Sequence, residues 1–243
     1  MHANALEAAL ADIETVFNGF ASPGETACSV CDLPEEIAFL RTPYVRIPVD
    51  VVRQYTFQVS GHFDDQDAAM RRLLPQGARA LTEGALGPLG LGYHGLTEVD
   101  WRSWPKEQAT AVETFVHAWW QDVLATPEPP YAIEEIFELC ASILRSATPL
   151  LDRWRPHPVA DAHLMKCVDW WLPELLGDDS PFRWWLYGEE AAMPVLRSWL
   201  GAHAPDRLRS QGDPDLATRV GLLALPHGER WAHPYWSSPS ATN

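Results

Sequence analysis

The sequence lacks the features that mark membrane and secreted proteins. It has no run of 18 apolar residues, so no transmembrane helix is predicted. Residues 1–4 carry no basic segment, so no secretory signal peptide is expected. Four cysteines in 243 residues do not make a disulfide framework. A reducing, cytoplasmic location is therefore expected.

Motifs that name a reaction are also missing. The sequence contains no P-loop, no H-E-x-x-H and no G-x-S-x-G element. Residues 90–95 match G-x-G-x-x-G by letter, but no strand leads into them, so a dinucleotide site is not predicted. Glu135 and Glu138 share a helical face at i, i+3, although such carboxylates are usually solvated. No catalytic residue is assigned, and an enzymatic role is not favoured.

Positive charge is scarce, because 33 acidic residues face 18 basic ones and the net charge is −15. This charge repels phosphate backbones and anionic lipid surfaces. We therefore expect neither nucleic acid nor membrane as a partner. An acidic surface does suit another protein as partner, in particular a basic one.

What the chain does have is helical periodicity and many aromatic residues, including twelve tryptophans. Nearly every patterned segment repeats its apolar residues with a period of 3.6, and none alternates with a period of two. The prediction is an all-α fold, either an irregular multi-helix bundle or a HEAT-like stack of helical hairpins. One domain is expected over residues 1–236, with any subdivision near 84–100 and a disordered tail over 237–243.

The helix after Trp104 has the clearest pattern. Its apolar face contains Phe115 and Trp119, which are predicted to be core residues. Ser103 stands where an N-cap belongs, so the helix is expected over about residues 105–125. Other helices are predicted from Asp32 with Glu35 as a capping pair, from about Pro48, over 67–82 with an interruption at Pro75, over about 181–200, and over about 214–225.

Four motifs in order carry a family resemblance. They are Cys28-x-x-Cys31, the Gly-His-Phe-Asp-Asp step at 61–65, the W-x-x-W-P-x-E element at 101–107 that leads into the helix ending near Trp120, and the P-x-L-x-x-W element at 149–154. Over roughly residues 10–176 the chain resembles an uncharacterised bacterial all-α protein family. Residues 68–75 depart from it, because members carry Phe-x-x-Phe-Leu-Pro there. The resemblance implies no known activity.

Cys28 and Cys31 are the one pair with metal-ligand spacing. They precede the helix expected at Asp32, and a helix N-terminus stabilises thiolates. Two thiolates supply half of a zinc site, and His62 and Asp64 are candidates for further ligands. Redox chemistry of the thioredoxin type would need a βαβ context, which is not predicted. A purely structural thiol pair is the interpretation we favour.

Two functions remain from the sequence. The first is a non-enzymatic binding, adaptor or regulatory protein with an acidic helical surface. The alternative is a metal- or thiol-dependent protein, with zinc as the cofactor and an enzymatic role not excluded, centred on Cys28 and Cys31. Metal content and partner identity distinguish the two.

Overall fold

The protein is all-α, as the sequence predicts. The structure is a computed structural model that describes residues 2–26, 33–57, 61–89 and 94–237. These residues form twelve α-helices and no strand. None of the helices described is both long enough and apolar enough to cross a membrane. The helices are α1 (His2–Val16), α2 (Pro34–Arg41), α3 (Val49–Thr56), α4 (Gln66–Thr82), α5 (Gly95–Glu98), α6 (Lys106–Ala125), α7 (Ile133–Leu144), α8 (Thr148–Leu151), α9 (Pro158–Leu176), α10 (Glu189–Ser210), α11 (Pro214–Gly221) and α12 (His227–Ala232).

The chain divides into two compact units. The first contains the residues up to Ser146 together with Trp184–Gly188, and the second contains Ala147–Arg183 and the residues from Glu189 onward. The 84–100 segment, considered above as a boundary, lies within the first unit. One domain over 1–236 and a HEAT-like stack stay predictions. Of the predicted tail 237–243, the structure describes only Ser237.

The core of the first unit forms where α1 packs against α6 and α4. α1 contributes Leu10 and Ile13, which are fully buried on its apolar face. Phe115 and Trp119 of α6 are each 1% exposed and their rings stack, so the prediction that they are core residues is confirmed. α7 packs on α6 and α5 packs on α7, which brings the short α5 to one side of α7.

Two helix beginnings differ from the sequence prediction. α6 begins at Lys106 with Pro105 at the N-cap, not Ser103, because Trp101–Ser103 forms a 3-10 helix and the Ser103 hydroxyl donates to the Asp100 carbonyl at 2.7 Å. α2 begins at Pro34, and Glu36 rather than Glu35 accepts the hydrogen bond of the Leu33 N–H. Asp32 lies outside the described residues.

Two helices that contain internal prolines, α4 and α10, differ from the sequence prediction. α4 continues through Pro75 without interruption, because a proline removes one hydrogen bond while Leu73, Leu74 and Leu81 stay buried on the same helix. α10 begins at Glu189 instead of Pro181, directly after Gly188, whose φ of 86° lies outside the helical region. It also continues to Ser210 through two internal prolines.

The second unit has its own tryptophan-rich core. α10 packs against α11 and α9, and Trp154 meets Trp171 edge to face with ring centroids 6.5 Å apart. An ion pair joins Arg207 of α10 to Asp161 of α9 at 2.6 Å, with both side chains largely buried. α11 ends at Gly221 and is followed by the 3-10 helix Leu222–Ala224, within the limits predicted.

Candidate functional site

The tryptophans of the family-like motifs have structural roles. Trp101, Trp104 and Trp154 are buried, and each indole N–H has an acceptor. Trp101 donates to the carbonyl of Ile143, Trp104 to the carboxylate of Asp67, and Trp154 to the carbonyl of Ala160, at 2.9–3.0 Å. A buried indole with a satisfied donor stabilises the fold and leaves no polar group free for a ligand.

Cys28 and Cys31 lie outside the described residues, but the proposed neighbours are placed. The Asp64 carboxylate accepts from the N–H of Thr26 at 2.9 Å and from its hydroxyl at 2.5 Å. Thr26 precedes Cys28 by two residues in the sequence. The Nδ1 of His62 is buried and has no hydrogen-bond partner among residues 2–26, 33–57, 61–89 and 94–237. His62 and Asp64 therefore lie in the loop that meets the chain just before the cysteines.

A buried carboxylate holds this loop. Glu25 is 1% exposed and accepts from the N–H of Asp64 at 2.8 Å, from the N–H of Asp65 at 3.4 Å and from the hydroxyl of Ser22 at 3.3 Å. The described residues contain no group of three or more His, Cys, Asp or Glu side chains arranged to hold a metal. Cys140 of α7 is fully buried, and burial raises its pKa.

A different site lies along α7 in the first unit, and we call it the α7 cleft. It is an open cleft with a volume of about 310 Å³ including its mouth. Its lining combines polar residues of the α5 and α7 region with apolar ones. It is lined by Leu89, His94, Thr97, Glu135, Glu138, Leu139, Ser142 and Trp184.

Three polar residues of α7 follow one another along the cleft. Glu135, Glu138 and Ser142 have the spacing i, i+3, i+7, which places them on one helical face. Ser142 is 2% exposed, and its hydroxyl has no hydrogen-bond partner within the part of the chain that the structure describes. Glu138 accepts from the backbone N–H of Trp184, which fixes this tryptophan at the cleft.

Glu135 has the most unusual environment of the three. It is half-buried and has neither an ion pair nor a hydrogen bond among the described residues. Burial raises the pKa of Glu135, and the neighbouring charge of Glu134 raises it further. Half-burying a carboxylate without a cation costs free energy, which is why the pKa is raised, and a cation beside Glu135 would offset this cost.

His94 forms the end of the cleft near α5. It is 6% exposed, and its Nδ1 accepts from the N–H of Leu96 at 3.1 Å, so the ring carries its proton on Nε2. Burial lowers the pKa of His94 to about 4. The ring is therefore neutral at pH 7 and adds no positive charge to the cleft.

Sequence reasoning found only part of this site. It noted the shared face of Glu135 and Glu138, but expected solvated carboxylates where the structure has half-buried ones. Ser142 extends the same polar row on a helix that is otherwise largely apolar, and this was a usable signal. His94 had no such signal, because α5 and α7 are brought together only by the tertiary fold.

The comparisons with known proteins do not add to this picture. No protein-family model, no curated protein and no solved structure matches the chain. Membership in the bacterial family stays a prediction from the motifs. A function has to be argued from the residues themselves.

Proposed function

We propose that the protein is a binding protein whose first unit receives a cationic side chain of a protein partner in the α7 cleft. The observation that supports this most is Glu135, a half-buried carboxylate with no cation among the described residues. A buried charge is tolerated when it is paired, and here the partner would supply the pair. Binding of a cationic side chain would offset the free energy that burial of Glu135 costs.

The other groups of the cleft favour the same class of ligand. Glu138 adds a second carboxylate, and neutral His94 does not oppose a cation. Trp184 also lines the cleft, and aromatic side chains attract cations. The net charge of −15 would also speed the approach of a basic partner.

Titration with basic peptides tests the proposal. Hexalysine and hexaarginine amides are titrated into the wild type, Glu135→Gln and Glu134→Gln by calorimetry at one fixed ionic strength, since screening alters such binding. Glu134→Gln is the matched control, because it removes the same charge one position away and does not line the cleft. We expect Glu135→Gln to weaken binding about tenfold, which corresponds to about 1.4 kcal/mol.

The control decides how the result is interpreted. If Glu134→Gln weakens the binding of both peptides as much as Glu135→Gln does, attraction is a property of the whole acidic surface and the cleft is not the site. If neither peptide binds the wild type, this result would also contradict the proposal. Urea unfolding of each variant shows that the fold is retained.

A zinc site at Cys28 and Cys31 is the second candidate. One observation favours it: Asp64 is bonded to Thr26, two residues before Cys28, while the buried Nδ1 of the neighbouring His62 has no partner. Two thiolates, an imidazole and a carboxylate are all ligands that zinc accepts. Such a site would contribute to folding, because the ligands would be brought together by the metal.

Metal analysis of the purified protein tests this candidate. About one zinc per chain that is lost in Cys28→Ser and in His62→Ala would support it. Cys140→Ala and Cys167→Ala are the controls, because both thiols are buried in helical cores and should not change the metal content. A chain that contains no zinc even after incubation with the metal would leave Cys28 and Cys31 with a structural role.

A further inference from the structure

We infer that the cation received by the α7 cleft is a primary ammonium group, as on a lysine side chain, and not a guanidinium. This inference rests on the proposed function and deepens it. It follows from three properties of the cleft: its size, its acceptors and its apolar wall.

The size of the cleft is the first argument. The cleft has room for about one group the size of a water molecule. An ammonium group is compact and has nearly this size, whereas a guanidinium is a planar fork with three nitrogens. The cleft therefore fits an ammonium group better than a guanidinium.

The acceptors are the second argument. An ammonium group has three donors and no acceptor, so it needs several oxygens converging from different directions. Glu138 lies one turn before Ser142, so its carboxylate and the Ser142 hydroxyl can approach one ammonium group together, and Glu135 adds a charge on the preceding turn. The Ser142 hydroxyl is 2% exposed and has no partner among the described residues, and it would accept one of the three hydrogen bonds.

The buried hydroxyl of Ser142 also favours a ligand in the cleft. A buried hydroxyl without a hydrogen bond costs free energy. Ser142 therefore gains when a donor enters the cleft, and an apolar group entering the same space would leave this cost in place. This second, independent observation points to a ligand with a donor at its tip.

The apolar wall is the third argument. Leu89 and Leu139 line the cleft and are 4% and 8% exposed. Trp184 is a further lining residue. A lysine side chain has a four-carbon stem that packs along such a surface while its charged end reaches polar groups.

The two peptides of the preceding section, used with one more variant, test the inference. Hexalysine should bind the wild type at least about fivefold more tightly than hexaarginine at the same ionic strength. Ser142→Ala should remove most of this preference by weakening hexalysine binding, with little effect on hexaarginine. Ser103→Ala is the control, because its hydroxyl is exposed and bonded outside the cleft. Nε-acetylation of the hexalysine should abolish the Glu135-dependent binding, because it removes the charge.

The outcomes separate the two claims. Equal or tighter binding of hexaarginine, still weakened by Glu135→Gln, would overturn the ammonium inference and leave the proposed function in place. A lysine preference that survives Ser142→Ala would place the ammonium group away from the buried hydroxyl and would also overturn the inference. Loss of any Glu135 dependence would overturn the proposed function itself. Ser142→Ala removes an unpartnered polar group, so this variant should fold.

Discussion

The indole N–H of Trp101 donates a hydrogen bond to the backbone carbonyl of Ile143 at 3.0 Å. Ile143 follows Ser142, the buried hydroxyl of the α7 cleft, directly in the sequence. The guanidinium of Arg102 donates to the next carbonyl, that of Leu144, at 2.5 Å. The last carbonyls of a helix lack partners within it, so Trp101 and Arg102 cap α7 from a segment about 40 residues earlier. The W-x-x-W motif thus holds the helix that lines the cleft.

This relationship predicts a specific cost for losing the indole donor. Trp101→Phe keeps an aromatic ring but removes the indole N–H that donates to the carbonyl of Ile143. We expect the free energy of unfolding to fall by about 1–3 kcal/mol in urea titrations. Trp170→Phe is the control, because Trp170 is 59% exposed, and it should change stability little. A Trp101→Phe variant as stable as the wild type would show that the hydrogen bond is dispensable.

The stacked pair in α6 predicts a larger effect of truncation. Trp119 is 1% exposed and its ring is 6.2 Å from that of Phe115. Trp119→Ala removes most of a buried aromatic side chain and leaves a cavity, so we expect a loss of about 3–5 kcal/mol in the free energy of unfolding. The same truncation at exposed Trp170 should have a much smaller effect. Similar losses at both positions would mean that α6 is not the centre of the core.

The helices themselves could be predicted because burial follows a local pattern. In α1, Leu10 and Ile13 fall on one face of a period-3.6 repeat, and both are fully buried. Helix beginnings were harder, because Ser103 could cap the next helix or close a short turn. Its hydroxyl donates back to the Asp100 carbonyl, so the second outcome prevails. Proline was misjudged at Pro75, where the apolar packing of α4 outweighs one missing hydrogen bond.

The site could be predicted only where it lies within a single helix. The shared face of Glu135 and Glu138 follows from helical geometry, and Ser142 extends it by one more turn. Half-burial of Glu135 cannot be derived from this spacing, since it depends on the elements packed beside α7. The neutral charge state of His94 likewise depends on burial, because an exposed histidine would titrate near pH 6.5.

The buried ion pair of the second unit predicts a contrast between two aspartates. The side chains of Arg207 and Asp161 are 9% and 15% exposed and lie 2.6 Å apart. Asp161→Ala leaves the arginine buried without its carboxylate, so we expect a loss of about 3 kcal/mol or more in the free energy of unfolding. Asp206 pairs with Arg209 at the same distance but is 96% exposed, so Asp206→Ala should be nearly neutral. Equal losses of stability in the two variants would show that burial does not determine how much an ion pair contributes to stability.

The buried His94 predicts a dependence of stability on pH. Its pKa in the folded protein is about 4, against an ordinary value of 6.5, so between these values the unfolded chain binds a proton that the folded chain does not. The free energy of unfolding should therefore fall as the pH falls from about 6.5 to about 4, by roughly 3 kcal/mol in total from this group. His94→Asn keeps an acceptor for the Leu96 N–H but does not titrate, so it serves as the comparison. In urea titrations, the wild type should lose about 2 kcal/mol more than the variant between pH 7 and pH 5. Parallel losses in the two proteins would mean that His94 can accept a proton in the folded state at little cost.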